Sequence, residues 1–67
     1  MSKKKIIYSA SEAADNEFEH GEKGGFWSNE LGWTIKTYAT RFSKAESKIF
    51  SLPLSRAGDA EWVDFSL

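Results

Sequence analysis

The first apolar block of the chain is Lys4-Lys5-Ile6-Ile7-Tyr8-Ser9, whose β-branched and aromatic side chains predict a first strand. The segment after it is mostly polar and reads in two ways. Ser9-x-x-Glu12 has the form of a capping box. Ala10, Ala13, Ala14 and Phe18 fall at i, i+3, i+4 and i+8, and Gly21 could end a helix. Phe18 is the segment's single large apolar residue, so residues 10–24 fit a short helix and an irregular acidic loop equally well.

Gly24-Gly25 opens a clearer pattern. Phe26-Trp27-Ser28 and Trp33-Thr34-Ile35 flank Asn29-Glu30-Leu31-Gly32, a turn with Asn first and Gly last, as type I geometry favours. A β-hairpin is expected, with Ser28 opposite Trp33, Trp27 opposite Thr34 and Phe26 opposite Ile35. Paired residues share a face of the sheet, and faces alternate along each strand. This register sets Phe26, Trp33 and Ile35 on one face and Trp27 and Thr34 on the other; a slip of one residue would exchange the faces.

Ser43-Lys-Ala-Glu46 is a second capping box, and Ala45, Ile49, Phe50 and Leu52 give the helix behind it an apolar side. Pro53 stops that helix, because its ring removes a donor and disfavours helical backbone at Leu52. Ser55 to Asp59, with Gly58, reads as a loop. Glu61 to Ser66 then alternates as a last strand, with Val63 and Phe65 inward and Trp62 and Asp64 outward. A competing rhythm runs through Leu31, Ile35, Tyr38, Phe42, Ala45, Ile49 and Leu52, whose spacing would suit one helix over about 34–52. Thr34, Thr37 and Thr40 are weak helix formers, and with the fresh cap at Ser43 they favour a break before it. The fold expected is α+β: a small, mostly antiparallel sheet of three or four strands with one principal helix packed on one face.

With 67 residues the chain makes one small domain, residues 1–67, in which 1–4 form a basic N-terminal tail and 10–24 the acidic loop or short helix. A domain of this size buries only about 60 % of the surface its unfolded chain exposes. It has no cysteine, hence no disulfides and no thiolate zinc site, which fits a reducing cytoplasm. Packing must supply the stability, and 40 % hydrophobic with 15 % aromatic residues argue against a disordered chain. The net charge of −1 hides an uneven distribution: +3 over residues 1–10, −5 over 11–30 and +1 over 31–67. No apolar run approaches the roughly 20 residues of a membrane span. Met1-Ser-Lys-Lys-Lys is followed only by Ile6-Ile7-Tyr8, too short for a signal sequence, so export is not expected.

Phe26-Trp27-Ser28, Gly32-Trp33, Ala39-Thr-Arg-Phe42-Ser-x-x-Glu46 and Trp62-Val63 form a pattern that resembles a group of small, mostly uncharacterised α+β proteins of bacteria, their phages and prophages. The resemblance spans about residues 24–65 and leaves out Ser11 to Lys23. It implies that the A-x-x-F segment is a short strand entering a helix and that the aromatic-valine segment is the last strand. It also implies a bacterial or phage source, and it carries no catalytic residue across.

Catalysis finds little in the residues themselves. A nucleophile needs a base and an orienting group, and the chain offers one histidine and serines already used as caps or in loops. His20, within Glu17-Phe18-Glu19-His20-Gly21-Glu22, matches no zinc or calcium spacing and reads as part of a solvated acidic stretch. Asp59 and Glu61 are commonplace near a strand start, and Gly24-Gly25 precedes a strand rather than the helix a phosphate loop needs. A non-enzyme with no metal and no cofactor is expected. Two binding readings remain. Trp27 and Trp62, beside Thr34 and Ile7 on the outer sheet face, would form a surface for a protein partner or a homodimer, since tryptophan is enriched at binding hot spots, unless the 10–24 segment folds over this face and Phe18 covers it, which fits a domain this small equally well. The alternative is nucleic-acid binding through Lys36, Arg41, Lys44 and Lys48, with Lys44 and Lys48 one helical turn apart. A small cytoplasmic, non-enzymatic accessory protein that binds protein or self-associates is the reading the residues favour.

Overall fold

A computed structural model describes residues 4–16 and 23–65. Phe18, His20, Gly21 and Ser66, on which parts of the sequence reading rest, lie outside the described residues. The elements are β1 (Lys5–Tyr8), α1 (Ala10–Asp15), β2 (Phe26–Ser28), β3 (Gly32–Thr34), a 3-10 turn (Lys36–Tyr38), α2 (Lys44–Ile49) and β4 (Glu61–Asp64). The strands form one antiparallel sheet in the order β3-β2-β1-β4, so the expected α+β class and strand number both hold.

The chain's first strand is central. Ile6 and Ile7 point to opposite faces and are 1 % and 0 % exposed, which means both faces of β1 are covered. On one side β1 pairs with β4 along its whole length, from Lys5 opposite Asp64 to Tyr8 opposite Glu61. On the other it meets β2 only at Tyr8 and Phe26. The far end of that side is filled by Phe42, whose backbone exchanges hydrogen bonds of 2.7 and 2.8 Å with Lys5. Thr40 N–H donates to the Trp27 carbonyl at 2.9 Å, so the segment before α2 is wedged between β1 and β2.

The hairpin forms one residue out of the expected register. Ser28 pairs with Gly32, Trp27 with Trp33, and Phe26 with Thr34. The cause is the turn. Gly32 has φ +79°, a left-handed backbone that costs glycine little, and it closes a loop of Asn29, Glu30 and Leu31. The Ser28 hydroxyl accepts from the N–H groups of Glu30 and Leu31 at 3.2 and 3.1 Å, which fixes that loop. The slip exchanges the faces: Trp27 and Trp33 now lie together, and Thr34 goes to the opposite side with Phe26 and Tyr8.

Both caps are present, but differently. Ser43 makes the full box, its hydroxyl accepting from Glu46 N–H at 3.1 Å while the Glu46 carboxylate accepts from Ser43 N–H at 2.8 Å. Ser9 caps α1 through Glu12 N–H, yet Glu12 does not reach back, because Ser9 N–H already donates to the Gly25 carbonyl. The Glu12 carboxylate accepts instead from Arg56 N–H at 2.7 Å and the Asn16 amide at 3.1 Å. The continuous helix over 34–52 does not form; the chain is extended at Ile35 and Ala39, and α2 starts after Ser43. That helix ends at Ile49, ahead of Pro53, and none of its residues is buried.

Candidate interaction surface

Register and alternation place Lys5, Ile7, Trp27, Trp33, Phe42, Trp62 and Asp64 on one face of the sheet. The aromatic side chains fill this face by contacting one another. Trp27 and Trp33 meet edge to face with ring centres 5.3 Å apart, a geometry that sets ring edge against ring face. Trp62 stands edge-on to Phe42 at 5.1 Å, and Phe50, just past α2, closes the group at 4.7 Å from Phe42 and 6.2 Å from Trp62. The indole N–H groups of Trp27 and Trp33 are bonded within the fold: Trp27 donates to Asn29 Oδ1 at 2.8 Å and Trp33 to the Leu54 carbonyl at 3.2 Å. The second of these bonds ties the 50–54 segment to the face. Lys5 and Asp64 form an ion pair on the same side.

The sequence-based surface of Trp27, Trp62, Thr34 and Ile7 is therefore not what the fold presents. Trp27 and Trp62 are half-buried in the aromatic layer, Ile7 is fully buried beneath it, and Thr34 is 4 % exposed on the other face. Trp33, expected in the core apart from Trp27, is its direct neighbour.

What the fold presents is the apolar side expected to face inward from α2. Ile49 is 85 % exposed, Leu54 93 % and Leu52 42 %, and Ala45, one turn before Ile49, is exposed as well. The apolar side expected of α2 thus faces largely outward, while Phe50 turns onto the aromatic layer of the sheet. The available signal was length: a helix from Ser43 that must end before Pro53 has under three turns in which to bury anything.

The four basic residues fall into two pairs. Arg41 and Lys36 lie over the Phe65 ring, at 4.2 and 5.6 Å from its centre, so both are held in cation–π contacts. Lys44 and Lys48 share one side of α2, are exposed, and make no ion pair among the described residues. A shallow cleft of about 200 Å³ is lined by Lys23, Phe26, Ile35, Lys36 and Thr37. It is smaller than the roughly 300–1,000 Å³ usual for small-molecule sites.

A third cluster is a clamp. Asp59 accepts from the hydroxyls of Ser9, Ser11 and Ser55 and from Ser11 N–H at 2.9 Å, tying the 55–59 loop to the start of α1. The Ser9 hydroxyl first, then Ser11 and Ser55, hold its carboxyl far below the usual carboxylate range. Glu46 is shifted the same way by the N–H and hydroxyl of Ser43. The hydroxyls of Ser9 and Ser55 also accept, from Glu12 N–H and Asp59 N–H, and that of Ser11 from Ala57 N–H; the geometry is that of a structural knot. Among the described residues no group of three or more potential metal ligands comes together, and no helix is long and apolar enough to cross a membrane. No protein-family model, curated protein or solved structure matches the chain.

Proposed function

We propose that this chain is a small, non-enzymatic accessory protein of bacterial or phage type, working in the cytoplasm, that acts by binding another protein. The contact surface in this reading is Ile49, Leu52 and Leu54, backed by the aromatic layer of Phe50 and the tryptophans.

The observation that supports it is the exposure of Ile49 and Leu54, at 85 % and 93 %. Burying one such side chain is worth about 1.5–3 kcal/mol. Isolated apolar residues on a surface are ordinary. Here three occur within six positions, in a domain whose size leaves little core to spare. The test is affinity capture from a bacterial lysate, with and without nuclease, comparing the parent with Ile49→Ser/Leu54→Ser. A protein retained by the parent after nuclease treatment and lost by the variant is the expected result. Equal retention by both would move the contact elsewhere, and loss of all retention on nuclease treatment would favour nucleic acid through the basic residues.

A further inference from the structure

We infer that the partner element is an acidic amphipathic helix, its apolar stripe laid on Ala45, Ile49, Leu52 and Leu54 and its carboxylates set against Lys44 and Lys48. This deepens the proposed function and rests on it.

The layout of α2 carries the inference. Ala45 and Ile49 stand four residues apart and form one exposed ridge; Lys44 and Lys48 form the ridge beside it, rotated by about one residue's turn. Ridges of i, i+4 residues are what a second helix packs into its own grooves. Neither lysine is held by a carboxylate among the described residues, whereas the helix's one acid, Glu46, is occupied by the N-cap on another side. An incoming apolar stripe therefore meets an apolar ridge flanked by two available ammonium groups. Carboxylates on the partner would find partners there, and lysines would be repelled.

The other occupants fit less well. In an antiparallel two-fold pairing of α2 with a second copy, the lysine flanks would face each other. Nucleic acid would use the lysines but leave Ile49 and Leu54 against a phosphate backbone, where apolar surface gains nothing.

Two fluorescent probe helices of about 18 residues test this, with leucine at i, i+3, i+4 and i+7 and flanking positions all glutamate in one and all lysine in the other. At about 50 mM salt, where charges are weakly screened, the glutamate probe should bind about tenfold or more tighter. Lys44→Glu/Lys48→Glu should reverse the order, and raising the salt should shrink the difference. Equal affinity for the two probes, preference for the lysine probe, or binding of neither overturns the inference, as does tighter binding of a DNA or RNA oligonucleotide of similar length. So does a parent that elutes as a dimer and binds the probes only after Ile49→Ser has made it monomeric. The two levels separate cleanly. Equal affinities that Ile49→Ser abolishes would leave the apolar contact standing and remove only its acidic partner; affinities untouched by Ile49→Ser would remove the contact surface itself.

Discussion

A methyl group added at Gly25 would be the sharpest probe of how this fold is held. An alanine Cβ there would lie 2.5 Å from the Ala13 Cβ, 2.7 Å from the Ser9 carbonyl oxygen and 3.0 Å from the Ala13 Cα. Carbon atoms sit comfortably at about 3.5–4.0 Å, so α1 would have to back away by about 1 Å. Two of the three obstructing atoms are backbone, which no rotamer change can move. Retreat of α1 also stretches the Ser9 N–H bond to the Gly25 carbonyl, now 2.8 Å, and carries Ser9 and Ser11 away from Asp59. Overpacking of this kind costs up to about 3 kcal/mol. Gly25 is not in the left-handed region, so alanine would regain about 0.4–1 kcal/mol by restricting the unfolded chain. The net loss is about 2 kcal/mol, and at roughly 4–8 °C per kcal/mol for a domain of this size the melting midpoint falls by about 8–16 °C.

Thermal and urea unfolding followed by circular dichroism would measure it, and a second variant sharpens the reading. Ala13→Gly removes the 2.5 Å contact but leaves the Ser9 oxygen in place. Combined with Gly25→Ala it should recover part of the loss, giving a positive coupling in the double-mutant cycle. A Gly25→Ala chain that melts at or above the parental temperature would show that α1 does not pack on Gly25. Purely additive effects would show that Ala13 is not the obstacle.

Other outcomes follow from the same contacts. Ser43→Ala should cost about 1 kcal/mol, the usual value of an N-cap, read as a lower melting midpoint; an unchanged midpoint would mean α2 does not begin there. Trp62→Ala, which removes the edge-on contacts to Phe42 and Phe50, should cost about 3 kcal/mol, the low end for such a truncation because Trp62 is only half-buried. Because the folded Asp59 carboxyl is held below its ordinary 3.8, its contribution is complete above that pH and is lost as the pH falls beneath it. Stability measured downward from pH 5 should therefore drop more in the parent than in Asp59→Asn; parallel curves would refute the clamp. Lys44→Glu/Lys48→Glu should leave unfolding within about 0.5 kcal/mol, as exposed unpaired residues allow.

Local chemistry was legible in the sequence, and its long-range consequences were not. Ile6-Ile7 announced a strand, Ser43-x-x-Glu46 a helix start, and the alternation of Trp62 and Val63 a strand with two faces; each depends on neighbours within a few residues. The helix at Ala10–Asp15, balanced against a loop on sequence grounds, starts on the local Ser9 cap and is also anchored by a distant residue. Asp59 binds Ser9 and Ser11 across some fifty positions, and nothing in its own surroundings marks it. The hairpin is legible in the sequence but its register is not, because the left-handed Gly32 belongs to the pair that closes the loop rather than to the loop itself. One residue of slip was enough to move Trp33 beside Trp27 and to take Thr34 out of the candidate surface.

That slip also accounts for the surface that emerged in its place. With Trp27, Trp33 and Trp62 on one side of the sheet, joined there by Phe42, the face is already occupied by side chains that satisfy one another edge to face. An approaching helix can add one ring, and Phe50 is the one that fits, closing against Phe42 and Trp62. Its neighbours cannot follow. The backbone turns extended at Phe50, and the Trp33 indole fixes the Leu54 carbonyl, so the chain from 50 to 54 runs over the face while Ile49 and Leu54 point away from it. The same arrangement that gives this small domain its aromatic layer leaves Ile49 and Leu54 exposed outside it. The outward ridge of Ala45 and Ile49 beside Lys44 and Lys48 is thus a product of the packing, and it is on this ridge that the proposed partner helix would lie.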